Sequence, residues 1–336
     1  MGKPVRMADI AKELDISVVS VSKALSGKPG VSEELRSKIV ALAQQMGYET
    51  TREPTETGNI GVLVAERFFS DNAFYAKLYS VLAMKASKEG FTCMLEIVPK
   101  KAEQEAIAPA LLTGRSVDGI IFLGNLSPGY LKAMTASGLP YLFLDFRLPG
   151  CGESGVISDN LDGGFMVTKH LLELGYREIA FVGSIQATSS IMERYLGYLQ
   201  ALHQAGIVPR EDWVLEDREK EDSNIVISLP DQLPQAFVCN CDEVAFHLVE
   251  MLEKAGYRVP EDVAVTGHDD FRFATMCHPP LTTYRVDVER MAEVSISYFV
   301  QKQRQEPVSP MLCVIPGQLV IRESTIGTSK PSQKDK

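Results

Sequence analysis

An all-α, three-helix head of helix-turn-helix type, followed by an α/β body of two doubly wound parallel-sheet lobes, is the fold class this sequence predicts. Three observations predict it. Residues 7–46 carry apolar side chains at helical spacing, punctuated by turn and cap residues. From residue 60 onward, short apolar runs alternate with amphipathic stretches, and the rhythm is gone through twice. Between the two regions lies ETTREPTETGN (49–59), which holds four threonines and no Leu, Met or Ala. The expected division is a head at 1–48, a linker at 49–59, a body at 60–325 and a disordered tail at 326–336.

In the head, Met7, Ile10, Ala11 and Leu14 form one face of a first helix. Asp15 and Ile16 break it, since Asp tolerates the left-handed backbone of a tight turn, though less well than Gly. Ser17 stands where an N-cap belongs. In the second helix Val21, Ala24 and Leu25 face inward. Val18, Ser22 and Ser26 lie along another face at i, i+4 and i+8, with Val19 and Lys23 beside them. Gly27 ends this helix and Pro29–Gly30 prevents its continuation. Ser32 caps a third helix, with Glu33 and Glu34 in its first turn as the helix dipole favours. Leu35, Ile39, Leu42, Ala43 and Met46 are its buried stripe, and Gly47 is its stop.

Three short helices with a tight turn between the first two place the second in a DNA major groove. A groove-reading face must come close to base edges, so small side chains suit it. Ser donates or accepts, Val touches a thymine methyl, and Lys reaches guanine acceptors. The candidate DNA-contacting residues are Met7, Ser17, Val18, Val19, Ser22, Lys23, Ser26 and Lys28. The same pattern also fits a three-helix domain packing on protein. Charge bears on the choice. Residues 1–52 carry eight Lys/Arg and six Asp/Glu, whereas the remainder carries 26 and 38, within a net −10. A slightly basic head on an acidic body suits nucleic acid at the head and another task for the body.

In the body, strands are expected at Ile60–Val64, Thr92–Val98, Gly119–Leu123 and Tyr141–Leu144, with helices near Phe74–Lys88 and Ala102–Leu112. The second round has helices at Asp162–Leu174, Met192–Ala205, Glu243–Lys254 and Glu289–Lys302. Its strands are Ile179–Val182, Ala236–Val238 and Val263–Thr266. Such alternation gives parallel sheets with helices on both faces, and ligands bind outside the carboxyl ends of their strands. Between two lobes, that place is the cleft.

Several chemistries find no support. The six cysteines, at 93, 151, 239, 241, 277 and 313, follow no disulfide framework. Cys239, Cys241, Cys277 and His278 match no standard zinc spacing, so no metal is expected. No apolar run has the length of a membrane helix, no signal-peptide core opens the chain, and a cytoplasmic protein is expected. No phosphate-binding Gly-Lys-Ser/Thr or metalloprotease motif occurs, so neither enzyme activity nor a cofactor is expected.

MADIAKELDISVVSVSKALSGKPGVSEELRSKIVALAQQMGY (7–48) resembles the DNA-binding head of the LacI/GalR family of bacterial transcriptional regulators. The matching pieces are Asp9–Ile10–Ala11, Val21–Ser22–Lys23–Ala24–Leu25, Val31–Ser32 and Met46–Gly47–Tyr48. Asp15 stands where the family usually has Gly, and Lys23 where it often has Arg. The body resembles the family's periplasmic-binding-protein-like effector domain through DGIIFLG (118–124), ISDNLDGG (157–164), HLLELGYREIAFVG (170–183), RYLGY (194–198), GYRVPEDVAVTGHDD (256–270) and PPLTTYRVD (279–287).

The resemblance covers nearly the whole chain. It implies a sequence-specific regulator, a repressor, acting as a homodimer on a pseudo-palindromic operator, with no membrane partner. It also implies an effector, a sugar or sugar derivative, bound between the lobes. The chain is expected to cross between lobes near 158–161, 284–287 and 316–318. The family's hinge helix, with its leucine wedge in the minor groove, is not expected here, because the linker holds Pro54 and no apolar wedge.

Arg194 and Asp269 fall at family positions that grip sugar hydroxyls, and they could instead pair with each other. Cys241 stands where a ligand-touching polar residue is common, with Asp242 as the expected helix N-cap. Residues 216–235 lack the family's aromatic, and the usual helix there looks truncated. Asp159 either touches ligand or caps the helix that follows. Phe74 and Tyr75 either stack on a sugar or belong to core or dimer contacts, and Arg67 is a further polar candidate. A small-molecule receptor and a sugar-metabolising enzyme, neither with a DNA role, are the alternative classes.

Overall fold

The protein is described by a computed structural model covering residues 5–25, 30–46, 58–69, 73–148, 154–219 and 225–326. Two compact units divide the chain between Thr57 and Gly58. The expectations for Ser26, Gly27, Lys28 and Pro29, for Gly47, for the linker at 49–57 with its hinge, and for the tail beyond Ile326 concern residues outside the described ones.

The head holds α1 (Met7–Glu13), α2 (Val18–Leu25) and α3 (Glu33–Gln45). They close around Ile10, Ala11, Val21, Ala24, Ile39 and Ala43, the apolar residues that helical spacing put on inner faces. Asp15 takes a φ of 50° in the turn between α1 and α2. There the Ile16 amide returns to the Ala11 carbonyl at 3.0 Å. Ser17 Oγ accepts from the Ser20 amide at 3.1 Å and so caps α2. Arg36 of α3 donates to the carbonyls of Ala24 (3.0 Å) and Lys23 (3.5 Å), where the α2 ladder leaves acceptors unfilled. That tie between helices was not visible from spacing.

The body begins with β1 (Gly58–Ala65), α4 (Glu66–Phe69), α5 (Ala73–Lys88), β2 (Phe91–Val98), α6 (Lys100–Gln104), α7 (Ala110–Thr113), β3 (Gly119–Leu123), α8 (Pro128–Thr135), β4 (Tyr141–Leu144) and β5 (Gly155–Ser158). It continues through α9 (Asn160–Glu173), β6 (Ile179–Val182), α10 (Ser189–Gln204), β7 (Val214–Leu215), β8 (Ala236–Cys239), α11 (Asp242–Lys254), β9 (Ala264–Asp269), α12 (Arg272–Met276) and β10 (Thr282–Arg285). Last come α13 (Val288–Gln303), β11 (Leu312–Ile315) and β12 (Gln318–Val320).

Two six-stranded sheets result, ordered β11-β5-β4-β3-β1-β2 and β12-β10-β9-β8-β6-β7. Every neighbouring pair is parallel except β12 with β10. The orders correspond strand for strand, so β4 and β9 hold equivalent places, as do β5 and β10. The chain leaves the first lobe after β5, returns after β10, and supplies β11 to one sheet and β12 to the other. Asp159 and Asp287 cap the helices that follow the first two crossings, accepting from the amides of Asp162 (3.0 Å) and Arg290 (2.9 Å).

Two expectations need correction, and a third, the truncated helix of 216–235, is taken further. The helix near Ala102–Leu112 is two short pieces, because Ala106 turns left-handed (φ 51°) and Pro109 starts a new helix. Glu96 on β2 accepts the first amides of that second piece, from Ala110 (2.8 Å) and Leu111 (2.9 Å). Cys241, not Asp242, is the N-cap of α11; Asp242 is buried and accepts from Thr283 Oγ1 (2.6 Å) and the Phe271 amide (2.8 Å). No helix occurs among the described residues of 216–235.

Helices α9 and α10 pack backbone against backbone. A Cβ on Gly164 would overlap the Arg194 carbonyl oxygen, and one on Gly197 the Leu161 carbonyl oxygen. Glycine is required at both for closeness rather than for φ. Among the described residues no helix is long and apolar enough to cross a membrane.

Candidate functional site

The carboxyl ends of the strands bring together a polar cluster where the lobes face each other. Asp145 follows β4 in the first lobe, and Asp269 ends β9, its equivalent in the second. Both lie in the left-handed region, with φ of 67° and 104°. An L-residue held there is strained, and such strain collects at functional turns.

Arg194 on α10 is buried, 7% exposed, and its charge acts on both aspartates. Its Nε donates to Asn160 Oδ1 at 2.9 Å and its Nη1 to the Asn240 carbonyl at 2.6 Å. Its Nη2 lies 3.7 Å from Asp269 Oδ1, an ion pair longer than a hydrogen bond. The arginine is therefore held by two neutral groups and only approached by the acid.

In the first lobe, Tyr75 donates to Asp145 Oδ2 at 2.9 Å, while Asp145 Oδ1 is buried with no partner among the described residues. Burial pushes the Asp145 carboxyl up to about 6 against the pull of Arg194 and the Tyr75 hydrogen bond. Burial likewise pushes Asp269 up to about 7 against Arg194, and the charges of Asp145 and Glu243 add to it. One cation serves two desolvated acids. His268, its ring tilted 34° against that of Tyr284 at 5.1 Å, is held neutral by burial and by Arg194, and its Nε2 also has no partner among the described residues.

The lobes touch around this cluster. Ser190 Oγ donates to the Asp145 carbonyl at 3.3 Å, and Arg147 Nε to Glu193 Oε1 at 2.8 Å. Phe74 meets Phe271 edge-on at 5.5 Å. An open groove of ≈ 990 Å³ follows the lobe crossings, with Lys77, Asp269, Phe271, Asp287 and Gly317 among its walls. Such geometry can hold a hydroxylated ligand: arginine and carboxylates grip hydroxyls, and buried unpartnered acceptors lack a donor.

In the head, Val18 and Val19 are 46% and 62% exposed, an unusual state for valine on a packed helix. Ser22 and Lys23 are exposed beside them, and Ser17 is exposed at the cap. Met7 instead packs partly buried on the head core. Small apolar and hydroxyl groups on one face of a short helix are the composition a major-groove reader uses.

Two family models match the chain: "Bacterial regulatory proteins, lacI family" over residues 6–51, and "Periplasmic binding protein-like domain" over residues 168–325. The HTH-type transcriptional repressor PurR of Glaesserella parasuis serovar 5 (strain SH0165) is 26% identical over 334 residues, covering 94% of this chain and 97% of that protein. The chain belongs to the LacI family of bacterial regulators.

Solved structures agree in fold. The complex of the transcriptional regulator CelR with cellobiose has a TM-score of 0.69 at 26% identity, covering 95% of this chain and 99% of that one. The lac repressor dimer bound to operator and the anti-inducer ONPF has a TM-score of 0.67 at 22% identity, covering 97% and 100%. This LacI-family chain is thus a DNA-binding transcriptional regulator that responds to a small molecule, and not an enzyme.

Among the residues singled out from sequence, Tyr75, Arg194 and Asp269 converge in the cleft of this LacI-family body. Cys241 lies at the edge, half-buried, with its thiol pushed up to about 12 by burial. Phe74 is buried and bridges the lobes through Phe271. Asp159 is a helix cap, and its equivalent Asp287 does the same work. Arg67 is committed elsewhere: it pairs with buried Glu103, donates to the Asn125 carbonyl at 2.7 Å and covers the Phe68 ring.

Sequence reading missed Asp145, Asn160, Ser190, Asn240 and His268. Asp145 had a usable signal, since an acid directly after the strand YLFL obeys the same strand-end rule that singled out Asp269.

Proposed function

We propose that the protein is a cytoplasmic, homodimeric repressor whose operator affinity is set by a sugar or sugar derivative held between the lobes. The observation that carries this reading is Arg194 lying 3.7 Å from Asp269 while its charge also acts on Asp145 of the opposite lobe, whose Oδ1 has no donor among the described residues. A ligand hydroxyl supplies that donor, and a second hydroxyl bridges Arg194 and Asp269. Because the two acids belong to different lobes, a ligand bound to both favours one lobe arrangement over others. Cellobiose in the CelR relative supports a carbohydrate, and the lac repressor dimer on operator supports a dimer.

At the operator, α2 enters the major groove. Val18 and Val19 face thymine methyls, Ser22 and Lys23 reach base-edge acceptors, and Ser17 contacts the backbone. One head covers a half-site, so two copies read a pseudo-palindrome. Lobe movement then alters the spacing of paired heads.

Two variants separate the two sites. Lys23→Ala should weaken operator binding, measured by fluorescence anisotropy at matched salt, and leave effector binding intact. Asp269→Ala should abolish the effector response and leave operator affinity unchanged. Equal operator affinity of Lys23→Ala and wild type overturns the head assignment, and normal calorimetric effector binding by Asp269→Ala overturns the cleft assignment.

A further inference from the structure

We infer that the effector carries an anionic group, a carboxylate or a phosphate ester, in addition to its hydroxyls, and that Arg218 grips it. The inference rests on reading the cleft as the effector site and adds a chemical class to that reading.

Arg218 comes three residues after β7, at the same carboxyl edge that supplies Asp269. A guanidinium has five N–H donors. Here Asp217 takes two of them, from Nε at 3.0 Å and from Nη2 at 2.6 Å, on one side of the plane. The far edge, shared by Nη1 and Nη2, has no hydrogen-bond partner among the described residues, and the side chain is 18% exposed. An edge of that shape accepts a carboxylate or phosphate through two parallel hydrogen bonds.

Asp217 does not cancel this edge. It is fully buried, and its carboxylate also accepts from the Ser184 amide (2.8 Å) and Asn240 Nδ2 (2.7 Å). Burial alone raises its carboxyl, but Arg218 and Ser184 outweigh that and hold it below the ordinary carboxylate range. So the acid is fixed as an anion behind the arginine, and the arginine cannot swing away without leaving it bare. Among the described residues, Cys241 and Tyr75 follow Asp217 as titratable groups whose ionisation would be felt at Arg218. Burial raises both, the thiol to about 12 and the phenol well above its ordinary value, so both are neutral at pH 7.

The two cleft arginines thus differ. Arg194 faces two carboxyls and has the surroundings of a hydroxyl grip. Arg218 is paired with one carboxylate along one edge only, and a neutral sugar would leave its open edge to water. Asn240 joins the two arginine sites, its Nδ2 donating to Asp217 at 2.7 Å and its carbonyl accepting from Arg194 at 2.6 Å, so an anion on Arg218 lies beside the cleft cluster.

The test uses the full-length protein with inorganic phosphate and acetate as probes. Each is titrated at constant ionic strength against chloride, reading Tm by differential scanning fluorimetry. Wild type should show a saturable rise with phosphate, with acetate, or with both; the pattern distinguishes a phosphate ester from a carboxylate. Arg218→Gln should weaken the response at least about tenfold, the loss expected for one charge-assisted pair. Since that variant bares buried Asp217, the double variant Asp217→Asn/Arg218→Gln and the variant Cys241→Asp are measured beside it. The latter sets a carboxylate against Arg218 at a position where Asp is a favoured N-cap, and it too should remove the response.

No saturable rise with either anion in wild type overturns the inference. So does a rise that survives in Arg218→Gln or in Cys241→Asp, which would leave Asp217–Arg218 a purely structural pair. Neither result touches the cleft reading, which stands or falls with the effector response of Asp269→Ala.

Discussion

Asp145→Asn should make the effector-free body more stable as pH rises. The Asp145 carboxyl is pushed up to about 6 in the folded protein, from an ordinary value near 3.8, first by burial. The folded state therefore holds its proton more tightly than the unfolded chain. Below about pH 4 both states are protonated and nothing is lost. Above it the unfolded chain ionises first, so stability falls with rising pH until the folded carboxyl has ionised too, near pH 6 to 7. The full gap corresponds to about 3 kcal/mol, of which about 1.4 kcal/mol develops between pH 5 and pH 8.

Asparagine removes that dependence and keeps an acceptor for the Tyr75 hydroxyl. It also places an amide where Oδ1 has no partner, a cost of about 1 kcal/mol at every pH. The expected result is a gain of about 1–2 kcal/mol at pH 8 that shrinks by about 1.4 kcal/mol at pH 5. Urea unfolding at the two pH values measures it. Trp213, the single tryptophan and almost fully buried, gives one signal, and far-ultraviolet circular dichroism gives the second. A gain that is the same at both pH values refutes the reasoning, because ionisation of Asp145, together with its charge on Asp269, must make it change. The variant should lose effector response along with its instability, as expected where a strained, desolvated acid is kept for binding.

Gly164→Ala gains about 1 kcal/mol of helix propensity, yet its methyl would overlap the Arg194 carbonyl. Urea unfolding should show a net loss of about 1–3 kcal/mol and calorimetry a weakened effector, and a stabilised variant would contradict the close packing of α9 on α10. Arg67→Ala leaves buried Glu103 without its cation, so it should cost about 2 kcal/mol while effector affinity is unchanged; a selective loss of affinity would return Arg67 to the binding site. Asp15→Gly relieves a side chain held at φ 50° and should raise the thermal stability of the head by about 0.5–1 kcal/mol, with no gain counting against the turn geometry.

Much of the fold was legible because its signals are local. The caps at Ser17 and Ser32 and the turn at Asp15 depend on neighbours a few residues away. The same holds for the apolar runs of β1, β3 and β6. Strands β5, β10 and β12 were hidden because they are set at lobe crossings and lack the unbroken apolar run that marks the short β6. The long helix expected at Ala102–Leu112 failed on a local cue that was in view, Pro109.

The site was less legible for a different reason. Arg194 and Asp269 came from resemblance, whereas what a side chain does depends on partners far along the chain. Arg67 and Glu103 are 36 residues apart, and Tyr75 and Asp145 are 70 apart. Whether an arginine is structural or open to ligand turns on which of its five donors such partners take.

That accounting also explains why the cleft works only as a whole. Of the groups around Arg194, Asn160, Asn240 and Asp269 belong to the second lobe or its entry helix, and Asp145 to the first. Either lobe alone would leave an incomplete grip. With both present, two acids share the field of one guanidinium and Asp145 Oδ1 has no donor among the described residues. A ligand that supplies donors to both acids relieves this only when the lobes hold them at the right separation. Its binding energy is therefore unequal between lobe arrangements, which is the physical requirement for a small molecule to act on a distant function.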